Sequence, residues 1–490
     1  MTCDNDLTVP EPLPCFVPAG LRTWGWAAQL PSLHSDRSWG IGDLADLRRL
    51  ARWSARLGAG ALLVSPLHAP RQRLPQQSSP YSPSSRLWRN PLFIAVDEVP
   101  GFDRSLAPAP NPSGVRIDRE GAWTAKMRAL ELLWARFPGD PAFDEFRERG
   151  GAALAAWAAF CLGDEGGTPG DASRLRFHEW LQWLLDEQLG SVAAEIRLVH
   201  DLAVGFDHDG ADAWRWRDAV AGGFGIGAPP DEFNRSGQDW GLAPFDPARL
   251  EDLDGEPWRE TVRANLRHAA GLRVDHVMGL FRLFWVPRGG APPDGRYVAY
   301  PSKVLLHALA EESRAARAVV IGEDLGTVQN TVRAELSRRD VLSYRLLWFE
   351  DDEPATWPAH SLASVTTHDL PTIAGVWTGT DVAEQRALGL AVDEAAAARL
   401  RSRLGDRTGA RDDAPVEEVV LRAYEVLGTA PSMFVCATLE DALAVEHRPN
   451  MPGTTDAARP NWSVPLPLSL EALEDDPRPH DLAEVLGRGR

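Results

Sequence analysis

The sequence predicts an α/β protein, a (β/α)8 barrel with subdomain insertions after strands two, three and seven. Three observations carry this. Short β-branched or apolar runs alternate with helical stretches along the chain, and that alternation makes βαβ units and a parallel sheet. Eight such runs are found, the number that closes a barrel. Carboxylates and histidines collect where the runs end, which is the face on which barrel enzymes do their chemistry.

The eight runs are Thr23–Leu30, Ala61–Pro66, Arg197–Val204, Gly271–Asp275, Val319–Gly322, Ser343–Phe349, Leu362–Thr367 and Ser432–Thr438. After the first, Leu44, Leu47, Leu50, Ala51 and Leu57 share one face of a helix that Asp43 caps and Gly58 ends. A second amphipathic helix runs from about Leu175 to Leu189, with Phe177, Trp180, Leu181 and Leu184 on its apolar side, and leads into the third strand. Spacing divides the chain into an N-terminal tail at 1–20 and a single catalytic domain at 21–490. An insertion of about 70–190 separates strands two and three, and a helical one of about 381–424 separates strands seven and eight. A Gly/Pro-rich stretch from Gly222 to Trp240 reads as a lid loop over the site.

A chain of 490 residues with 44% apolar and 25% charged residues is globular. Its formal net charge of −19 repels phosphate backbones and anionic lipid, so neither nucleic acid nor a membrane is expected as partner. Four scattered cysteines lack any CxxC spacing, which argues against a zinc cluster or a disulfide framework. The N-terminal residues lack the charged and apolar regions of a signal peptide, and no apolar run is long enough to span a bilayer. A cytoplasmic location is expected. The 19 Trp against 5 Tyr supply flat apolar faces suited to sugar stacking, although each Trp taken singly reads first as a core residue.

The run ends point to acetal chemistry. Strand three leads into Asp207, His208 and Asp209; strand four into Arg273, Asp275 and His276; strand five into Glu323 and Asp324; strand seven into His368 and Asp369. Breaking a glycosidic bond needs one carboxylate to meet the anomeric carbon and a protonated one to release the leaving oxygen. Arg273, two residues before Asp275 on a strand, shares its side and is expected to hold it ionised. Glu323 follows the apolar AVVI, which favours a raised pKa and an acid role. Each carboxylate alone could equally be a helix cap or ion-pair partner, and each histidine a satisfied core residue. A metal-dependent barrel hydrolase is a further alternative, but no HxH or HxxxH spacing occurs at any strand end.

Nine segments carry a resemblance to a known family: WGIGDLADL, SPYSPSSRLWRNPLFI, HDLAVGFDHDGADAW, GAPPDEFNRSGQDWG, GLRVDHVMGLFRLFWVPRG, IGEDLGTV, SYRLLWFE, VTTHDLPT and NMPGTTDAARPNW. In these, and in their order, the chain resembles the amylomaltases or disproportionating enzymes, glycoside hydrolase family 77. GFDHDG departs from that family's commoner apolar-proline form. The resemblance implies a 4-alpha-glucanotransferase working by retaining double displacement, with no metal or organic cofactor. It implies Asp275 as nucleophile, Glu323 as general acid and then base, and Asp369 as transition-state stabiliser. Arg273, His276, His368 and Asp209 would line the donor subsite. The loop with Gln238 and Trp240 would cover the cleft, and Tyr81 would touch glucan. The implied partners are an α-1,4-glucan donor and a glucose or maltooligosaccharide acceptor. An α-glucan hydrolase of the same clan and a catalytically silent glucan-binding protein are the competing readings, and oligomeric state is left open.

Overall fold

The computed structural model describes residues 12–108, 116–230, 236–326 and 328–490. The first part of the expected tail, Cys3, residues 231–235 of the lid stretch and Thr327 lie outside the described residues. Eight parallel strands form one sheet: β1 (Thr23–Ala28), β2 (Ala61–Val64), β3 (Arg197–Leu202), β4 (Gly271–Val274), β5 (Val319–Gly322), β6 (Ser343–Leu346), β7 (Ser361–Ser364) and β8 (Phe434–Thr438). Their lateral order is β5-β4-β3-β2-β1-β8-β7-β6. β1 pairs with both β2 and β8, in registers that set Gly25 opposite Ala61 and Thr23 opposite Phe434.

The ring closes between β5 and β6, where the pairing is thin. A parallel bridge joins Ile321 to Leu342: Gly322 N–H donates to the Leu342 carbonyl at 2.8 Å, and Leu342 N–H donates to the Val320 carbonyl at 2.9 Å. Asp324 reinforces the seam by accepting the Tyr344 N–H at 2.9 Å. Side chains alternate along a strand, so this outward duty of Asp324 leaves its neighbour Glu323 to face the mouth. Close packing constrains the wall as well: a Cβ on Gly25 would come within 2.0 Å of the Ala61 carbonyl oxygen. Val199, Val319, Ile321, Tyr344, Leu362 and Phe434 pack into one cluster, as the inward residues of alternate strands do in a filled barrel.

All eight expected strands are present, but most stop one to three residues short of the expected C-terminal limit. Those last residues leave the ladder to form the mouth of the barrel. The first helix runs Leu44–Arg56. Asp43 caps it by accepting from the Ala45 and Asp46 N–H groups at 3.1 and 3.3 Å, and the Asp46 carboxylate accepts the Asp43 N–H at 3.2 Å.

Three long helices follow β2, Arg119–Trp134, Pro141–Asp164 and Ala172–Ala193. Among them Trp134, Phe137, Phe143, Phe177, Trp180 and Trp183 pack ring against ring. Most of the Trp residues are therefore spent on the core. Fully buried Lys126 ties this unit to the barrel, donating to the Leu92 and Ile94 carbonyls at 2.8 and 2.9 Å and to Asp43 at 3.4 Å.

A second sheet, antiparallel and five-stranded, was not anticipated. Its order is Arg296–Ala299, Arg282–Pro287, Phe224–Ala228, Gln238–Ala243 and Phe206–Asp207. The lid stretch is thus largely a ribbon. Its glycines hid the strand signal, because glycine weakens a strand pattern while permitting close approach. Here a Cβ on Gly227 would meet the Gln238 carbonyl oxygen at 2.0 Å. Between β7 and β8 lie the helices Ile373–Thr378, Thr380–Ala387, Glu394–Thr408 and Val416–Gly428.

Candidate active site

The site is built where β3, β4, β5 and β7 end. Asp275 follows β4, its backbone N–H still bonded to the Leu202 carbonyl of β3 at 3.0 Å. Arg273 lies two residues earlier, almost wholly buried. Its Nη1 donates to Asp275 Oδ1 at 3.0 Å and to Asp201 Oδ1 at 2.6 Å. Its guanidinium also stacks 5.6 Å from the Tyr344 ring of β6. One cation is thereby shared between two carboxylates.

Glu323 follows β5, and two backbone groups hold its carboxylate: His276 N–H donates to Oε2 and Leu325 N–H to Oε1, both at 2.9 Å. Its own carbonyl accepts the Val277 N–H at 3.1 Å. The turn after Asp275 and the Glu323 side chain are thus locked together. The apolar run before Glu323 gave no sign of these two donors. His276 occupies the left-handed region at φ 46°, a conformation a non-glycine residue keeps only where its surroundings hold it.

Asp369, after β7, is aimed by a separate set of bonds. Asn450 Nδ2 donates to its Oδ1 at 2.7 Å, and Arg448 Nη1 donates to its backbone carbonyl at 2.7 Å. Arg448 is in turn clamped by Asp381 through Nε and Nη2, at 2.8 and 2.6 Å. Next to it His368 is sandwiched, its ring centroid 4.8 Å from Tyr81 and 4.9 Å from Trp462. The Tyr81 hydroxyl donates to Asp201 Oδ2 and lies 3.4 Å from His368 Nδ1. Trp462 also adopts a left-handed backbone, φ 58°.

Charge is crowded here. Burial pushes the Asp275 carboxyl above the usual carboxylate range, Asp201, Glu323 and Asp369 push the same way, and Arg273 opposes them. Arg273 does pair with Asp275 as expected, but its charge is divided with Asp201, so it does not by itself keep Asp275 ionised. Burial lowers the pKa values of His276 and His368, so both imidazoles are neutral at neutral pH. Glu440, after β8, opens onto the cavity that Asp201, Arg273, Tyr344 and His368 line, and burial pushes it up to about 7.

The expected site residues separate into three groups. Asp275, Glu323, Asp369, Arg273, His276, His368 and Tyr81 lie in one continuous network. Trp240 reaches it from the ribbon, its ring 5.5 Å from His276 and edge-on at 80°; its Nε1 donates to Gln238 Oε1 at 3.1 Å. Asp209 stands apart. It is exposed, its backbone N–H donates to Asp207 Oδ1 at 3.0 Å, and among the described residues no contact joins it to the network. Asp201, on β3 itself, occupies the place the sequence reading gave to Asp209. The strand ends at Leu202 rather than at the expected Val204. Asn450, Arg448 and Trp462 carry no local signal of a site role, although Asn450 and Trp462 bound the segment NMPGTTDAARPNW.

The similarity to known proteins follows the same frame. The glycoside hydrolase family 77 model, described as 4-alpha-glucanotransferase, matches residues 28–168 and 168–469. The chain belongs to this family. It is 40% identical to the 4-alpha-glucanotransferase of Mycobacterium tuberculosis (strain ATCC 25618 / H37Rv), over 96% of this chain and 75% of that protein. With the Haemophilus influenzae 4-alpha-glucanotransferase it shares 30% identity over 92% of this chain and 76% of the relative. Among solved structures, the amylomaltase from Corynebacterium glutamicum superimposes with a TM-score of 0.88 at 32% identity, covering 95% of this chain and 75% of that one. The fold is also that of the Streptococcus agalactiae amylomaltase solved with acarbose, TM-score 0.78 at 18% identity, over 95% of this chain and 98% of that one. Among the described residues, no helix is long and apolar enough to cross a membrane. Nor is any group of three or more His, Cys, Asp or Glu placed to hold a metal ion.

Proposed function

We propose that this family 77 protein is a 4-alpha-glucanotransferase that moves α-1,4-glucan segments to glucose or a maltooligosaccharide by retaining double displacement. An ionised Asp275 oxygen attacks the anomeric carbon while the bond to the leaving sugar's O4 breaks, and the Glu323 carboxyl passes its proton to that oxygen. The glycosyl-enzyme is then opened by an acceptor hydroxyl, whose proton returns to Glu323. Asp369, aimed by Asn450, binds hydroxyls of the donor sugar and strengthens its hold as the ring flattens. Arg273 and His276 support the nucleophile and acid, and His368, with Tyr81, shapes the donor subsite. A role for Asp209 in that subsite is withdrawn in favour of Asp201.

The observation that carries this reading is the shared Arg273 nitrogen, bonded to Asp275 in the cleft and to Asp201 behind it. A binding protein has no need of a desolvated carboxylate such as Asp275, raised above its ordinary range among other carboxylates. Trp240, its ring against His276 and its Nε1 on Gln238, supports a reading in which the ribbon excludes water and favours transfer over hydrolysis. A cytoplasmic setting fits the free, buried thiols of Cys15, Cys161 and Cys436.

Incubation with maltotriose is the test, run beside Asp275→Asn. Glucose with a ladder of longer maltooligosaccharides, absent in the variant, is the expected result. Glucose and maltose with nothing longer would make the protein a hydrolase.

A further inference from the structure

Trp214 is anomalous in a protein that buries most of its Trp. Its residue is 44% exposed, on the short helix Ala211–Arg215. It is also the outer end of an aromatic row. Trp88 stacks on Trp157 at 6.3 Å, Trp157 on Phe160 at 6.5 Å, and Phe160 meets Trp214 at 6.1 Å. The row begins in the core and ends in solvent.

Polar groups lie beside Phe160, the ring that meets Trp214. Arg71 lies over the Phe160 ring at 5.7 Å. The same guanidinium donates through Nε to Asp164 at 2.7 Å and reaches Asp207 at 3.7 Å. An aromatic face with carboxylates and a guanidinium beside it is the chemistry that holds a sugar ring. The apolar face of the pyranose covers the indole while its equatorial hydroxyls find acceptors and donors at the edge.

The platform is tied to the cleft by hydrogen bonds. The Trp214 helix is bonded to the loop that carries Tyr81: Ala211 N–H donates to Ser84 Oγ and Asp212 N–H to the Ser84 carbonyl, each at 3.0 Å. Asp207 N–H donates to the Pro83 carbonyl at 2.7 Å. Tyr81, three residues before Ser84, touches Asp201 and His368 in the site. Three residues of extended chain span at most about 10 Å.

We propose that Trp214, backed by Phe160 and flanked by Arg71 and Asp207, is a binding platform for α-1,4-glucan chains long enough to extend past the cleft. The occupant is the outlying part of a long donor or acceptor, so Trp214 sets chain-length preference and takes no part in bond making. The proposal rests on the glucanotransferase reading for its ligand class.

The experiment compares wild type, Trp214→Ala and Trp214→Phe on maltotriose and on a long linear amylose. The expected result is a KM for amylose raised about three- to tenfold in Trp214→Ala, largely restored in Trp214→Phe, with maltotriose kinetics unchanged in both. Equal effects on both substrates, or none on either, would overturn the platform. Titrating amylose into Asp275→Asn with and without Trp214→Ala reads the platform without turnover. A Trp214-dependent loss of affinity supports it even if wild type fails to disproportionate maltotriose, and unchanged affinity refutes it even if transfer is confirmed.

Discussion

Arg273 and Asp201 are joined by a 2.6 Å hydrogen bond in a pocket from which solvent is nearly excluded. Among the described residues Asp275 must therefore share the cation it pairs with, Arg273, with a residue behind it. Removing the guanidinium strands buried Asp201 and part-buried Asp275. Arg273→Leu is expected to lower kcat by about 100-fold or more and to destabilise the fold by about 3 kcal/mol. Adding Asp201→Asn should recover part of that stability and none of the activity, as denaturant melts and maltotriose kinetics of the double variant would show.

Asp369 depends on a residue that never meets substrate. The Arg448–Asp381 pair is buried and two-pronged, and Arg448 spends its remaining edge on the Asp369 carbonyl. Asp381→Asn is expected to cut kcat about tenfold while leaving KM for maltotriose within about twofold. A protein that only lost stability would instead keep full kcat below its melting temperature.

The ribbon gives the next prediction. Trp240 covers His276 edge-on, so Trp240→Ala opens the site to water. Total donor consumption should fall only a few-fold, while the share of glycosyl-enzyme lost to hydrolysis rises. Counting reducing ends against longer oligosaccharides measures that partition.

Glu440 supplies a pH effect whose sign is fixed. Burial pushes its folded pKa up to about 7 from an ordinary glutamate value of about 4.5, so the folded state holds a proton that the unfolded chain releases first. Its contribution is fully present below about pH 4.5 and lost as pH rises through about 7. Glu440→Gln should therefore gain relative stability across that window, by about 3 kcal/mol at most by pH 8. Equal melting curves for both proteins from pH 4.5 to 8 would contradict the assignment.

Much of this was legible in the residues. The alternation of apolar runs with helical stretches located all eight strands, because a parallel barrel strand is buried on both faces and reads as a continuous apolar segment. The three central carboxylates were legible because each lies at the end of such a run or just past it. Asp201 was not, since it sits inside a run between His200 and Leu202, where a carboxylate looks like a core anomaly. Only Arg273, from the neighbouring strand, gives it a reason to be there. Asn450, Arg448 and Trp462 act across nearly eighty or more residues of sequence on Asp369, His368 and Tyr81, and local pattern carries no record of such distances. The lid sheet was hidden by its glycines.

The most direct test is to catch the intermediate. Glu323→Gln, treated with an α-maltosyl fluoride, needs no acid for the first step and lacks the base for the second. The account predicts a maltosyl adduct on intact protein, mapped by peptide mass spectrometry to Asp275. An adduct on Asp201 or Asp369, or none despite released fluoride, would contradict it.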